Sequence, residues 1–257
     1  SSLANQSGVY GTPGTPSDSN NPGGRQAAAG GADANGNFWL FGGEGEDGNN
    51  PATPNGILND LWVYNIANNQ WTFVVGNTTA NQTGAYEAQT VVGPVSTTGA
   101  ASTCGLTVGL TQGGNIICSP VSTTGALPGS RWGANAWTDA GGNFWLFGGW
   151  GLDSTGTNGN GALNDLWVYT PNSNPTQPGT WTWTKGSNTG SQNGVYGPET
   201  RPYQTYYIWT PGGRSNATRW VDANGQLWLF GGQGYDSTST TGNGDLNDMW
   251  RYLPYKD

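Results

Sequence analysis

Three segments of the chain are copies of one another, and no other feature constrains the fold as tightly. The first, GGRQAAAGGADANGNFWLFGGEGEDG, is followed by ILNDLWVY. The second, GSRWGANAWTDAGGNFWLFGGWGLDS, is followed by ALNDLWVY, and the third, GGRSNATRWVDANGQLWLFGGQGYDS, by DLNDMWRY. Arg25, Arg131 and Arg214 each precede the first glycine of FGG (Gly42, Gly148, Gly231) by 17 residues. From that glycine to the tryptophan of NDLW or NDMW (Trp62, Trp167, Trp250) the step is 20, 19 and 19, so the loop between them tolerates one insertion. One supersecondary unit is thus repeated, with the arginine-to-glycine half held in strict register.

The punctuation inside each copy predicts strands. A first strand follows the arginine and ends at Asn35-Gly36, Gly141-Gly142 or Asn224-Gly225, pairs whose tolerance of positive φ suits a tight hairpin. In the second strand, Phe38-Trp39-Leu40-Phe41 in the first copy, every residue is apolar, as expected where a sheet is covered on both faces. The glycine pair ends it. A polar loop leads to a third strand, Leu61 to Tyr64, and Trp71-Thr72-Phe73 or Trp181-Thr182-Trp183 supplies a fourth. Composition agrees: 45 Gly and 14 Trp with only 9% charged residues joins abundant turn formers to large apolar anchors, unlike a disordered or helical chain.

The arginine after glycine, the double glycine closing an aromatic strand, the NDLW-Tyr segment and the later tryptophan resemble the kelch family over about three quarters of the chain. The resemblance implies an all-β fold of kelch-type β-propeller blades: three four-stranded antiparallel blades, the third lacking its last strand. The expected divisions are a linker at 1–24, blade one at 25–75, a long insertion at 76–129, blade two at 130–185, a linker at 186–212 and blade three at 213–257. ANQSGVY (Ala4 to Tyr10) matches ANQTGAY (Ala80 to Tyr86) and SQNGVYG (Ser191 to Gly197), which places the start of the chain just after a fourth strand. Propellers close with about four to eight blades. The three blades are therefore expected to belong to a larger closed propeller or assembly, completed by the rest of a longer chain or by a second copy.

Within the insertion, PVSTTGA occurs at Pro94 to Ala100 and again at Pro120 to Ala126, bracketing Cys104 and Cys118. The residues between alternate β-formers around Gln112-Gly113-Gly114-Asn115, which reads as a hairpin closed by a disulfide and projecting from one face. Loops of this kind are where rigid scaffolds commonly carry recognition.

The net charge of −8 disfavours nucleic acid and anionic membrane surfaces as partners. No run of 18 apolar residues occurs, so no membrane insertion is expected. Four sequons, at Asn5, Asn77, Asn81 and Asn216, together with the cysteine pair and the lack of an initiator Met, fit an exported, extracellular or cell-surface glycoprotein. Some kelch propellers, the galactose oxidases, are copper radical enzymes. This chain contains no His, which removes imidazole copper ligands and the Ser/His/Asp and Cys/His nucleophilic arrangements.

Three sets of recurring or displaced residues remain as candidates. Asp60, Asp165 and Asp248 recur in step with Arg25, Arg131 and Arg214, and are expected to pair or to satisfy turns inside each unit. Asp47, Asp153 and Asp236 recur in the Gly-rich loop after FGG and are calcium candidates, although one carboxylate per loop is thin against the six to eight oxygens calcium takes. Trp132, Trp137, Trp150, Trp209 and Trp220, with Tyr203, Tyr206 and Tyr207, lie outside the repeating core pattern and could stack on sugars.

The expected role is non-catalytic: binding of protein or glycan, or assembly of a surface structure, with no cofactor. The competing expectations are a subunit of an extracellular filament and a carbohydrate-active enzyme working through paired carboxylates, which need only two acids at a defined separation.

Overall fold

The structure, a computed structural model, describes residues 4–48, 56–87, 109–110, 116–117, 125–156, 161–174, 177–197, 209–238 and 244–254. It is all-β. Every named strand pairs antiparallel, none of the sheets closes on itself, and no helix occurs among the described residues.

The first unit comprises β1 (Arg25–Gln26), β2 (Ala29–Ala32), β3 (Phe38–Gly45), β4 (Gly56–Asn65) and β5 (Gln70–Val75), joined in one sheet. Two short strands, β6 (Gly109–Leu110) and β7 (Ile116–Ile117), form a hairpin ladder where the insertion is expected to have one; Cys104 and Cys118 lie outside the described residues. The second unit divides into an inner ladder and an outer sheet. β8 (Arg131–Trp132), β11 (Trp150–Gly151) and β12 (Gly161–Ala162) make the ladder, and β9 (Asn135–Thr138), β10 (Phe144–Phe147), β13 (Leu166–Thr170) and β14 (Thr180–Lys185) the four-stranded sheet. The third unit repeats this with β15 (Arg214–Ser215), β18 (Gln233–Gly234) and β19 (Gly244–Asp245) inside, and β16 (Thr218–Val221), β17 (Leu227–Phe230) and β20 (Met249–Tyr252) outside.

The hairpin between the first two outer strands differs from the expected two-residue turn. Gly36 N–H bonds Asp33 O and Asp33 N–H bonds Asn37 O, both at 3.0 Å, and of each turn pair only the second residue (Gly36, Gly142, Gly225) has positive φ. This is a longer loop with one left-handed glycine. Its organiser is the aspartate that opens it: Asp33 Oδ1 accepts the N–H groups of Asn35 and Asn37, and Oδ2 accepts the Trp39 indole at 3.0 Å. Asp139 and Asp222 repeat the arrangement with Trp145 and Trp228.

The units pack sheet against sheet. Trp39, Phe41 and Leu61 of the first meet Phe144, Leu146, Trp167, Tyr169 and Trp181 of the second in one buried cluster. Trp145, Phe147 and Leu166 of the second meet Leu227 and Leu229 of the third in another. At both interfaces the second and fourth residues of one unit's FWLF thus meet the first and third of the next unit's FWLF or LWLF. The double glycine makes the close approach possible: a Cβ on Gly42 would lie 2.6 Å from Arg131 O, and one on Gly148 2.7 Å from Arg214 O.

The expectation of a strand covered on both faces holds for β10, where all four residues are buried. It fails for the flanking copies, each with one open face. Phe230 is 41% exposed where its equivalents Phe41 and Phe147 are 0% and 4%. Along the outer edge of the first sheet runs the N-terminal segment: Gly14 N–H bonds Phe73 O, the Asn20 amide bonds Trp71 O, and Tyr10 packs on Trp62 and Phe73.

Candidate functional site

The recurring charges converge inside each unit. Arg131 forks onto Asp165 through two bonds, Nη1 to Oδ1 at 2.6 Å and Nη2 to Oδ2 at 2.8 Å, with both side chains fully buried. Its remaining donors reach Gly129 O and Gly148 O, each at 3.0 Å. The second carboxylate oxygen also accepts the Trp167 indole at 2.7 Å and the Tyr86 hydroxyl at 2.6 Å. Arg25, Asp60, Trp62 and Tyr10 form the same node, as do Arg214, Asp248, Trp250 and Tyr196. Ion pairing inside the unit, expected from the shared register, is thus the arrangement present.

Electrostatics follow the geometry. Burial alone would push the Arg131 guanidinium down, but Asp165 beside it outweighs burial and holds it above its ordinary value. Burial raises the Tyr86 phenol, and the neighbouring carboxylate raises it further. Tyr196, less enclosed, is pushed up to about 12 by burial and then by Asp248. Burial works to raise Asp248, yet bonds from Arg214, Tyr196 and Trp250 leave its carboxyl below the usual range. A bidentate pair whose carboxylate accepts four hydrogen bonds, one on Oδ1 and three on Oδ2, is a locked structural element.

The tyrosines are the members that sequence reasoning missed. They lie 50, 79 and 52 residues from their aspartates, with no fixed spacing, because loops of different length intervene. The signal was present in the repeated Gly-x-Tyr of ANQSGVY, ANQTGAY and SQNGVYG. Each of these segments is pinned by an antiparallel bridge at the base of its loop: Val9 with Asn21, Ala85 with Leu127, Val195 with Thr210. All three loops therefore leave the sheets at equivalent positions.

Asp47, Asp153 and Asp236 also clamp backbone at these loop bases. Their carbonyls accept the N–H groups of Gly8, Gly84 and Gly194. Asp47 Oδ2 takes Ala80 N–H, Asp153 Oδ2 takes Gly190 N–H, and the Oδ1 atoms of Asp153 and Asp236 take the N–H and hydroxyl of Thr155 and Thr238. Burial acts to raise Asp153, but the bonds from Gly190, Thr155 and Gly156 bring it below the usual carboxylate range. Among the described residues no group of three or more His, Cys, Asp or Glu is gathered.

The candidate stacking tryptophans separate. Trp137 is buried and donates to Trp228 O at 3.1 Å, leaving no ring face for a sugar. Trp220 lies stacked on Trp228, centroids 5.7 Å apart and planes 4° apart, on the open face of the third sheet. Trp209 is half-buried beside Gly197, and Tyr203, Tyr206 and Tyr207 lie outside the described residues. Trp132 and Trp150 come together: they are register partners of β8 and β11, both half-buried, with centroids 6.5 Å apart and a 33° tilt. The equivalent register pairs are Gln26 with Glu44, bonded at 3.0 Å, and Ser215 with Gln233. Backbone bonds from Gly133 to Ala27 O and from Asn216 to Gly133 O, both 2.8 Å, tie the three inner ladders side by side. A pair of aromatic rings is thus set in a belt whose other equivalent positions are amide, carboxylate and hydroxyl.

Of the sequons, Asn5, Asn81 and Asn216 are exposed, and Asn77 is half-buried, accepting a bond from the Asn59 amide.

The sequence matches no protein-family model and no curated protein. Among solved structures the chain is similar to one titled "Structure of YjhT", at 15% identity and a TM-score of 0.40, over 91% of this chain. It spans about half (53%) of the length of that structure.

Proposed function

We propose that this chain is a kelch-type β-propeller module, exported and non-catalytic, that recognises glycans through the Trp132–Trp150 pair. The propeller reading draws support from the threefold repeat and from sheets that meet face to face with the same residues at each step. The observation that carries the binding reading is the pair itself: two half-exposed rings at one register, in a belt that offers Gln26, Glu44 and Gln233 to sugar hydroxyls. Rings take the apolar face of a sugar, and amides and carboxylates take its hydroxyls. The recurring ion pairs, by contrast, are consumed inside each unit.

A glycan array tests this reading. Saturable binding that Trp132→Ala abolishes is the expected result; release of product from a polysaccharide without a binding plateau would turn the assignment to a carboxylate-based enzyme.

The open third sheet favours a second reading, a unit of a surface assembly or filament. Phe230 and Met249, 41% and 58% exposed, stand where the other units meet a following sheet. A further sheet of the same kind, from a longer polypeptide or another copy, would cover them and continue the propeller. Solution mass at rising concentration checks this: a mass that stays at one chain throughout counts against self-assembly.

A further inference from the structure

The belt of inner ladders carries one charge that the buried ion pairs leave uncancelled. Its equivalent register positions hold Gln26 with Glu44, Trp132 with Trp150, and Ser215 with Gln233, and Glu44 is the only charged side chain of the six. Glu44 Oε2 accepts the Gln26 amide at 3.0 Å. Among the described residues no cation pairs with it: the arginines that precede Gln26, Trp132 and Ser215 are enclosed and spent on Asp60, Asp165 and Asp248. Glu44 and the ring pair are neighbours. β3 packs on β8, so that a Cβ on Gly42, two residues before Glu44, would lie 2.6 Å from the carbonyl oxygen of Arg131, the residue before Trp132. One step along, Gly133 N–H bonds Ala27 O at 2.8 Å, where Ala27 follows Gln26 and Gly133 follows Trp132. The juxtaposition therefore rests on the first two units alone.

Resting on the glycan reading above, we propose that the ligand of this site is an amino sugar: a glycan bearing free, protonated amines, with a sugar ring on the Trp132–Trp150 pair and an ammonium against Glu44. Both indoles are half-buried and leave ring surface open to solvent, their centroids 6.5 Å apart. An indole face is negative and attracts a cation more strongly than a neutral group. A carboxylate without a counter-ion does the same by charge. Gln26 bonds Oε2 of Glu44, which fixes the carboxylate and leaves Oε1 for the ammonium. A sugar carrying carboxylate or sulfate would meet repulsion from the rings and from Glu44 alike. The net charge of −8 acts in the same direction, drawing cations toward the chain and slowing the approach of anions.

The test is isothermal titration of the unaltered chain with a glucosamine tetramer, its fully N-acetylated counterpart and a galacturonate tetramer. The free amine is expected to bind about tenfold tighter than the acetylated form, with the acidic oligomer weakest. That preference should vanish as the pH is raised until the amines are neutral. Glu44→Gln should bring the affinities of the first two ligands together while the N-acetylated tetramer still binds. The comparison of ligands on the unaltered chain needs no variant, so misfolding cannot produce or hide the preference. Equal or tighter binding of the N-acetylated or the acidic oligomer overturns the amino-sugar assignment and leaves the glycan reading standing. A tetralysine peptide that binds as tightly as the glucosamine tetramer also overturns it, since the sugar ring would then contribute nothing. Failure of the glucosamine tetramer to bind overturns it as well, and if the glycan array holds no ligand either, the glycan reading falls with it.

Discussion

Tyr86 donates a 2.6 Å hydrogen bond to Asp165, 79 residues further along the chain, and, like its counterparts Tyr10 and Tyr196 beside Val9 and Val195, it marks where a loop leaves the sheets. The carboxylate that receives it is already held by Arg131 and the Trp167 indole. Removing the phenol hydroxyl leaves a buried charge short of one donor. Tyr86→Phe is therefore expected to cost about 1.5–3 kcal/mol, the range for hydrogen bonds to charged groups, measured as a shift of the urea midpoint.

The ion pair itself is more demanding. Asp165→Asn should destabilise by about 3–5 kcal/mol, because Arg131 would remain charged and fully buried. Asp248→Asn should cost less, since that carboxylate is 16% exposed and water can reach it. Equal losses in equilibrium unfolding would show that burial does not set the cost.

Alkali separates the tyrosines. Tyr196 ionises at about 12 in the folded chain, above its ordinary value near 10. Its contribution to stability is complete below pH about 10 and is lost as pH rises through about 12. Acid acts on the same node with the opposite sign. The Asp248 carboxyl lies below its ordinary range, so its contribution is present above pH about 3.9 and is lost as pH falls through the folded value. Ultraviolet phenolate absorbance, followed beside circular dichroism, should show Tyr196 ionising at higher pH than a free tyrosine.

Two glycines discriminate strain from steric exclusion. Gly142 has φ 81° with nothing within 4 Å of an added Cβ, so Gly142→Ala should cost about 1–2 kcal/mol, the left-handed penalty alone. A Cβ on Gly151 would lie 2.1 Å from Ser130 O, against backbone that cannot yield. Gly151→Ala should therefore cost several times more, and thermal unfolding of the two variants compares them directly.

At the candidate glycan site, Trp132→Ala and Trp150→Ala are each expected to weaken binding at least tenfold while leaving thermal stability close to that of the parent. Both rings are half-exposed, unlike Trp137, whose replacement should unfold the chain before it informs on binding. Isothermal titration with an array-selected glycan, beside a melting curve, checks both expectations.

Much of the strand content was legible because the repeat fixes it: FWLF or LWLF falls on the second strand and the LW or MW of NDLW or NDMW on the third in each copy. The arginine–aspartate register was legible for the same reason. The tyrosine partners were not, since loops of unequal length separate them from the sheet they complete. Nor was the fate of individual tryptophans. Trp132 and Trp137 are five residues apart in the same hairpin arm, yet one lies on the inner ladder and the other in the core between sheets, a difference set by the break between β8 and β9. Hairpin turn pairs marked the right place and the wrong length, because the organising residue, Asp33 and its equivalents, stands two positions earlier.

The bridges at Val9, Ala85 and Val195 hold the two ends of each loop together where they meet the sheets. Each behaves as a splice junction: chain entering and leaving through paired neighbours adds length without altering strand register. Foreign sequence transplanted between Tyr86 and Ala126 would inherit a fixed anchor, which makes this scaffold a natural host for grafted recognition segments.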